Sequence, residues 1–146
     1  MTPPVLVHIP GKPIGAPRAR ATAIGGHARV YQPSAYTSWL AYAADVIGHA
    51  FTDATLFVEH TPVRVRIHAV WPRAKSAPKT KDLLERPRTA KPDADNVAKA
   101  VMDAATRAGI WHDDAQATDV RVMKRIAEKG EQPGLFIEFA EDVSCQ

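Results

Sequence analysis

Pro62-Val63-Arg64-Val65-Arg66-Ile67-His68-Ala69-Val70-Trp71 alternates apolar and polar side chains over most of its length. Successive side chains of a strand point to opposite faces, so Val63, Val65, Ile67, Ala69 and Trp71 form a buried face and Arg64, Arg66 and His68 a polar one. This is the clearest strand in the chain, and it requires something apolar to cover one side.

The candidates for that cover lie on both sides in sequence. Toward the N-terminus, Val5–Ile9 reads as a short opening strand ended by Pro10-Gly11, and Gly11–Ala28 as a loop or loose hairpin rich in Gly, Pro, Ala and Arg. Arg29-Val30-Tyr31 predicts a brief strand. A helix follows from Pro33-Ser34, with Ser34 as its N-cap and Trp39, Leu40, Ala43, Val46 and Ile47 at helical spacing to about His49. Toward the C-terminus, five prolines from Pro62 through Pro92 argue against a regular element between Pro72 and Pro92, which reads as a long basic, mobile loop. A second helix is expected over Asp95–Ala108, stopped by Gly109, with Val97, Ala98, Val101, Ala105 and Ala108 as its apolar stripe. Alternating runs at Asp119–Ile126 and Leu135–Phe139 flank the turn region Gly130–Gly134 and predict a closing hairpin. Strands with two main helices on a small mixed sheet make an α+β domain. With no internal repeat and no low-complexity tract, residues 1–146 read as a single domain.

Composition narrows the class. A chain of 146 residues, 45% hydrophobic and 24% charged, has enough apolar surface for a core without staples. The one cysteine, Cys145, rules out an internal disulfide and a cysteine-based zinc site, and fits a cytoplasmic setting. No apolar run reaches membrane-spanning length, and the opening Met-Thr-Pro-Pro does not read as a signal peptide.

The net charge of +3 conceals strong clustering. From Pro72 to Pro92, Arg73, Lys75, Lys79, Lys81, Arg86, Arg88 and Lys91 face only Asp82 and Glu85, a local +5. Gly11–Val30 carries Lys12, Arg18, Arg20 and Arg29 with no acid. Basic segments of this kind suit a polyanion such as nucleic acid, although a solvated loop has the same composition. Arg64 and Arg66 read as solvated strand arginines.

Between those segments stands Lys91-Pro92-Asp93-Ala94-Asp95-Asn96-Val97-Ala98-Lys99, followed downstream by Asp113-Asp114. Asp93 and Asp95, two apart in an extended lead-in, point the same way at the mouth of a helix. Capping accounts for one such carboxylate, not two with Asn96 besides. Asp113-Asp114 by itself reads as a turn. Together the four acids form a candidate site for a hard cation such as Mg²⁺, which takes oxygen ligands and keeps several waters. Lys99 shares the helix side of Asp95, either as an i,i+4 ion-pair partner or as a cation for a phosphoryl group. Asp103 is on the same side but on the order of 12 Å beyond Asp95 at about 1.5 Å per residue, and reads as structural, an ion-pair or capping partner. The six histidines show no ligand spacing, His112 reads as a surface histidine, and Trp71 and Trp111 read as core.

Lys91 through Ala104, then Gly109-Ile110-Trp111-His112-Asp113-Asp114-Ala115-Gln116, resembles the signature of RusA-type Holliday junction resolvases. The basic opening Gly11–Arg20, Arg29-Val30-Tyr31, the strand ending Trp71-Pro72 and the basic loop are similar too, so the resemblance runs from Val5 to Phe139, with its specific part at Lys91–Gln116. The resemblance implies a small homodimeric, often prophage-borne endodeoxyribonuclease that binds four-way DNA junctions and makes paired nicks with Mg²⁺, or Mn²⁺ as a substitute. It implies catalytic roles for Asp93, Asp95, Lys99 and Asp114, with Asp93, Asp95 and Asp114 as metal ligands and Asp113 as a further candidate. The candidate DNA contacts are Lys12, Arg18, Arg20, Arg29, Arg73, Lys75, Lys79, Lys81, Arg86, Arg88 and Lys91. The rival readings are a nuclease for other branched DNA and a junction-binding protein without catalysis.

Overall fold

The computed structural model describes residues 2–17, 20–24, 27–31, 34–75 and 87–144, with the backbone alone for 20–24 and 27–31. In chain order the elements are β1 (Val5–Pro10), β2 (Arg20–Ile24), β3 (His27–Tyr31), α1 (Ser34–Ala50), β4 (Val63–Trp71), α2 (Ala94–Ala108), a 3-10 turn (Asp114–Gln116), β5 (Ala117–Ile126) and β6 (Gly134–Glu141). The alternation that identified β4 is realised. Val63, Val65, Ile67, Ala69 and Trp71 are buried, while Arg66 is exposed and Arg64 pairs with Glu138 at 2.9 Å.

The main sheet has the order β1-β6-β4-β5; β2 and β3 pair antiparallel in a separate two-stranded sheet. β6 lies antiparallel to both β1 and β4, and β5 lies parallel to β4, so the sheet is mixed and the fold is α+β. This corrects the expected closing hairpin: β5 and β6 are not partners. A parallel neighbour needs a long crossover, and the segment carrying α2 supplies it between β4 and β5. That leaves the other edge of β4 for β6. Alternation marks a strand equally well whichever neighbour it takes.

One face of the sheet carries the core. Val5, Val7, Val65, Ile67, Ile137 and Phe139 pack with Ala43 and Ile47 of α1 and Val97, Val101 and Ala105 of α2. Phe139 meets Phe51 and Trp111 edge to face at 5.8 and 5.9 Å, each pair worth about 0.5–1.5 kcal/mol beyond burial. α2 buries more than its expected stripe, adding Ala100 and Ala104, while Ala108 lies only at the rim. Ala100 packs with Tyr36 of α1 and Ala16 of the N-terminal loop, so the helix is covered on a further side. α1 opens at Ser34 itself, and the cap position before it lies outside the described residues. α2 stops as expected at Gly109, whose φ of 74° is open to glycine and whose N–H turns back to Ala105 O and Thr106 O.

The N-terminal loop lies across the mouth of α2. Ala16 N donates to Asn96 O at 2.9 Å, and a Cβ on Gly15 would stand 2.6 Å from Pro92 Cβ. Only glycine permits that approach. Among the described residues no helix is long and apolar enough to cross a membrane.

Candidate active site

The acidic residues are brought to the mouth of α2 by a braced approach segment. Arg88 N donates to Lys124 O at 3.0 Å, Lys124 Nζ donates to Ala90 O at 2.9 Å, and Arg88 Nη2 donates to Lys91 O at 2.9 Å. The Arg88 guanidinium lies over the buried Trp71 ring, 4.6 Å from its centroid. A cation stacked on an aromatic face is worth about 0.5–2 kcal/mol, more as it is desolvated. The second end of the expected 72–92 loop is therefore fastened to the sheet, whereas residues 76–86 lie outside the described residues.

From that brace the chain enters α2 through Asp93. Asp93 occupies the N-cap position with an extended backbone, φ −69° and ψ 155°, yet its side chain makes no capping hydrogen bond. It accepts Lys91 Nζ at 2.9 Å instead. Asp95 stands exposed in the first turn of α2, and its side chain makes no hydrogen bond or ion pair among the described residues. Helix capping thus leaves the carboxylate pair unexplained.

One turn further along, Lys99 turns away from the i,i+4 partner that spacing offered at Asp95. Its Nζ donates to Asp103 Oδ1 at 3.2 Å. Asp103 Oδ2 accepts the Tyr36 hydroxyl from α1 at 2.8 Å. Burial, and then the hydrogen bond and charge of Asp103, push the Tyr36 phenol well above its ordinary range.

The second acidic pair stands at the 3-10 turn that packs on α2. Asp113 Oδ1 accepts Ala115 N at 2.7 Å, while Gln116 Oε1 accepts the amides of His112 at 2.8 Å and Asp113 at 3.1 Å. This capping box fixes the 3-10 turn. Gln116 Nε2 also donates to Val58 O at 2.9 Å and Thr61 O at 3.1 Å, fastening the turn to the loop before β4. The Ala115 amide, and then a hydrogen bond shared with Asp114, hold the Asp113 carboxyl below the usual carboxylate range. Asp114 is raised, first by partial desolvation of its carboxyl and then by its bond to Asp113 and Asp113's charge. Lys99 opposes that shift and Asp103 adds to it, so Asp114, Lys99 and Asp103 share one electrostatic neighbourhood.

The basic residues divide. Lys12 and Lys75 are exposed and Arg73 is half-buried beyond β4. Arg88 is committed to Trp71 and Lys91 is drawn to Asp93, so neither stands as a free phosphate contact. Arg20 and Arg29 belong to β2 and β3; Arg18, Lys79, Lys81 and Arg86 lie outside the described residues. His112 is exposed, and Trp71 and Trp111 are buried, as read from the sequence. Gln116 carries a larger share of the site's scaffolding than the sequence reading allotted it. The Asp113-x-x-Gln116 capping pattern was the available signal.

Among the described residues no three His, Cys, Asp or Glu side chains gather into a cage for a metal ion. The donors on offer at α2 and the adjoining turn are carboxylate oxygens: Asp93, Asp95 and Asp114. Mg²⁺ takes one or two carboxylates, keeps its waters and shares substrate phosphates, so the chemistry of these oxygen donors fits it.

A family model described as Endodeoxyribonuclease RusA matches residues 10–139. The crossover junction endodeoxyribonuclease RusA of Escherichia coli strain K12 is 38% identical over 87 residues, which are 60% of this chain and 58% of that protein. Proteins of the same name from Shigella sonnei and Enterobacteria phage 82 are each 55% identical over 38 residues, 26% of this chain and 32% of theirs. With the family model spanning nearly the whole chain, this protein belongs to the RusA endodeoxyribonuclease family.

Proposed function

We propose that this protein is an endodeoxyribonuclease that resolves four-way DNA junctions with Mg²⁺ by paired symmetric nicks, serving DNA recombination and repair in a bacterial or phage-infected cytoplasm. The observation that carries this reading is the acidic pair at the mouth of α2, which capping does not explain, beside Lys99 and Asp114 in a RusA-family chain.

Asp93, Asp95 and Asp114 would hold the ion, and with Asp93 so engaged its ion-pair partner Lys91 would be available to DNA. A bound Mg²⁺ lowers the pKa of its water and offsets charge building on the phosphate. Lys99 supplies a second positive charge beside the scissile phosphate. Asp113 keeps the turn rigid so that Asp114 is presented without reorganisation. Lys12, Arg73 and Lys75, with the basic residues of 76–86 and the N-terminal loop, follow the DNA backbone, giving binding that weakens steeply with salt. Gly15 brings the N-terminal loop against Pro92 and Asn96 at the same mouth.

A homodimer belongs to the same reading, because two-fold symmetry gives two equivalent nicks. The sheet face opposite the helices suits a second copy. Leu6, Met123 and Phe136 are exposed there at 73%, 62% and 37%, and Arg66 and Arg121 rise among them with Glu138 close by. Apolar, aromatic, Met and Arg side chains with no lysine are the composition of subunit interfaces.

The test is an end-labelled four-way junction incubated with and without Mg²⁺, beside matched linear duplex and the Asp95→Asn variant. Symmetric Mg²⁺-dependent nicks in the junction from wild type alone are expected, with junction binding retained by the variant. Tight binding without nicks in Mg²⁺ or Mn²⁺ would overturn the catalytic reading. Equal cutting of linear duplex would remove the junction selectivity. Sedimentation of Leu6→Glu against wild type reads the dimer: unchanged assembly sinks the open face as its interface.

A further inference from the structure

We propose that Asp103, anchored by the buried Tyr36 hydroxyl, is a positioning residue for Lys99; this rests on the catalytic reading of Lys99 given above. The plain alternative is that Asp103 and Lys99 form an ordinary surface pair, as i,i+4 neighbours on helices do. Three observations separate the two.

Asp103 is held from a second element. Tyr36 is only 4% exposed, lies 67 residues away in sequence, and reaches Asp103 Oδ2 at 2.8 Å from α1. A surface pair has two mobile side chains; here one carboxylate oxygen is fixed by a rigid ring packed against Ala16 and Ala100, with Trp39 stacked 6.2 Å away. The bond uses Oδ2, leaving Oδ1 for the Lys99 ammonium at 3.2 Å. Each oxygen of one carboxylate therefore has one donor, and the one bonded to the hydroxyl is anchored to α1.

Lys99 is exposed over 58% of its side chain, and Asp103 over 26%. A lysine has four rotatable bonds and a point charge, so its reach is loose unless something fixes the head. Fixing it costs entropy in the free enzyme rather than at the moment of reaction, which is how a charge is made ready for a developing anion.

The direction is also right. Asp103 Oδ1 holds the ammonium at 3.2 Å on the helix side from which Lys99 and Asp103 both act on the charge of Asp114. Without Asp103, Asp95 one turn back would compete for the same ammonium, and Lys99 would neutralise an acid needed elsewhere. Tyr36 thus connects the packing of α1 on α2 to the head group of a side chain at the reacting centre.

The experiment is single-turnover cleavage of a four-way junction by Asp103→Asn, Tyr36→Phe and Lys99→Ala, with the Lys99→Ala/Asp103→Asn double variant. Junction affinity in Ca²⁺ and thermal midpoints are measured on the same samples. Asp103→Asn should slow cleavage about ten- to a hundredfold, the usual range for residues that orient a ligand or catalytic group, and Tyr36→Phe less. Affinity should stay within about twofold of wild type, since the loss lies in the cleavage step rather than in binding. In the Lys99→Ala background Asp103→Asn should add nothing, because it acts only through the lysine. An undiminished rate in Asp103→Asn, or a loss equal in both backgrounds, overturns the positioning role. An undiminished rate in Lys99→Ala instead overturns the catalytic reading of Lys99 itself.

Discussion

The two acidic pairs look alike in sequence and are used oppositely by the fold. Asp113 does what a carboxylate before a helical turn usually does: it takes the Ala115 amide and is stabilised as an anion by doing so. Asp93 sits in the same kind of position, at the N-cap of a far longer helix, and caps nothing with its side chain. An N-cap bond is worth about 0.5–2 kcal/mol, so declining one is a cost that the fold accepts. The Asp95 side chain beside it makes no hydrogen bond or ion pair among the described residues. The lesson is that a residue in a structural position without its structural bond is the stronger functional candidate.

The largest effect expected from this contrast is catalytic. Asp93→Asn should cut junction cleavage by on the order of a hundredfold or more, as loss of a group aimed at developing charge does. Its thermal midpoint should hold or fall by no more than about 2 °C, because the ion pair with Lys91 is exposed and no capping bond is lost. Asp113→Ala, which removes the cap that Asn would keep, should do the reverse: it costs stability at the turn and slows cleavage far less, because Asp114 loses a support rather than the site a ligand. Rate assays and melting curves on the two variants check this. Equal loss of cleavage in both would merge the pairs into one metal-binding unit.

Much of this was legible before the fold was known, and the exceptions have physical reasons. β4, α1 and α2 show in the sequence because each is set by its own periodicity, and Gly109 stops α2 by its own backbone freedom. The partner of β5 was not legible, since the alternation of Asp119–Ile126 is the same beside β4 as beside β6. Asp93, Asp95, Lys99 and Asp114 could be named as candidates from spacing and family likeness. The pairing of Lys99 could not: Asp95 and Asp103 are both four residues away, and the choice is made by Tyr36, 67 residues from Asp103. Arg88 read as a phosphate contact because charge clustering carries no information on which cation finds an aromatic face.

A smaller effect should come from the scaffold behind the capped pair. Gln116 is buried and joins His112 and Asp113 on one side to Val58 and Thr61 on the other. Gln116→Ala leaves two amides and two carbonyls to find water or remain unpaired, and should cost about 2–3 kcal/mol by chemical denaturation. Cleavage should fall with it, because Asp114 then loses its fixed presentation. A variant that melts like wild type would show the turn to be held by Asp113 alone.

The smallest effect is electrostatic and separates Asp114 from Asp113 within one pair. Partial desolvation and the neighbouring Asp113 raise Asp114, so the folded protein holds that proton at a pH where the unfolded chain has released it. Stability therefore falls as pH rises from the ordinary aspartate value of about 3.9 to the raised folded value, and the loss is complete above it. Asp113, lowered by its bonds, runs the other way: its contribution is present at neutral pH and disappears only as pH falls below the ordinary aspartate range. Asp114→Asn should accordingly raise the midpoint of metal-free protein at pH 7, by about 1–3 °C for an exposed pair. The gain should shrink as the pH is lowered into the carboxylate range, where wild type is protonated as well. Adding Mg²⁺ should reverse the order, since a ligand bound only by the folded wild type stabilises it and not the variant. A variant less stable than wild type at pH 7 without metal would mean that Asp114, like Asp113, serves the fold, and the difference between the two halves of that pair would be gone.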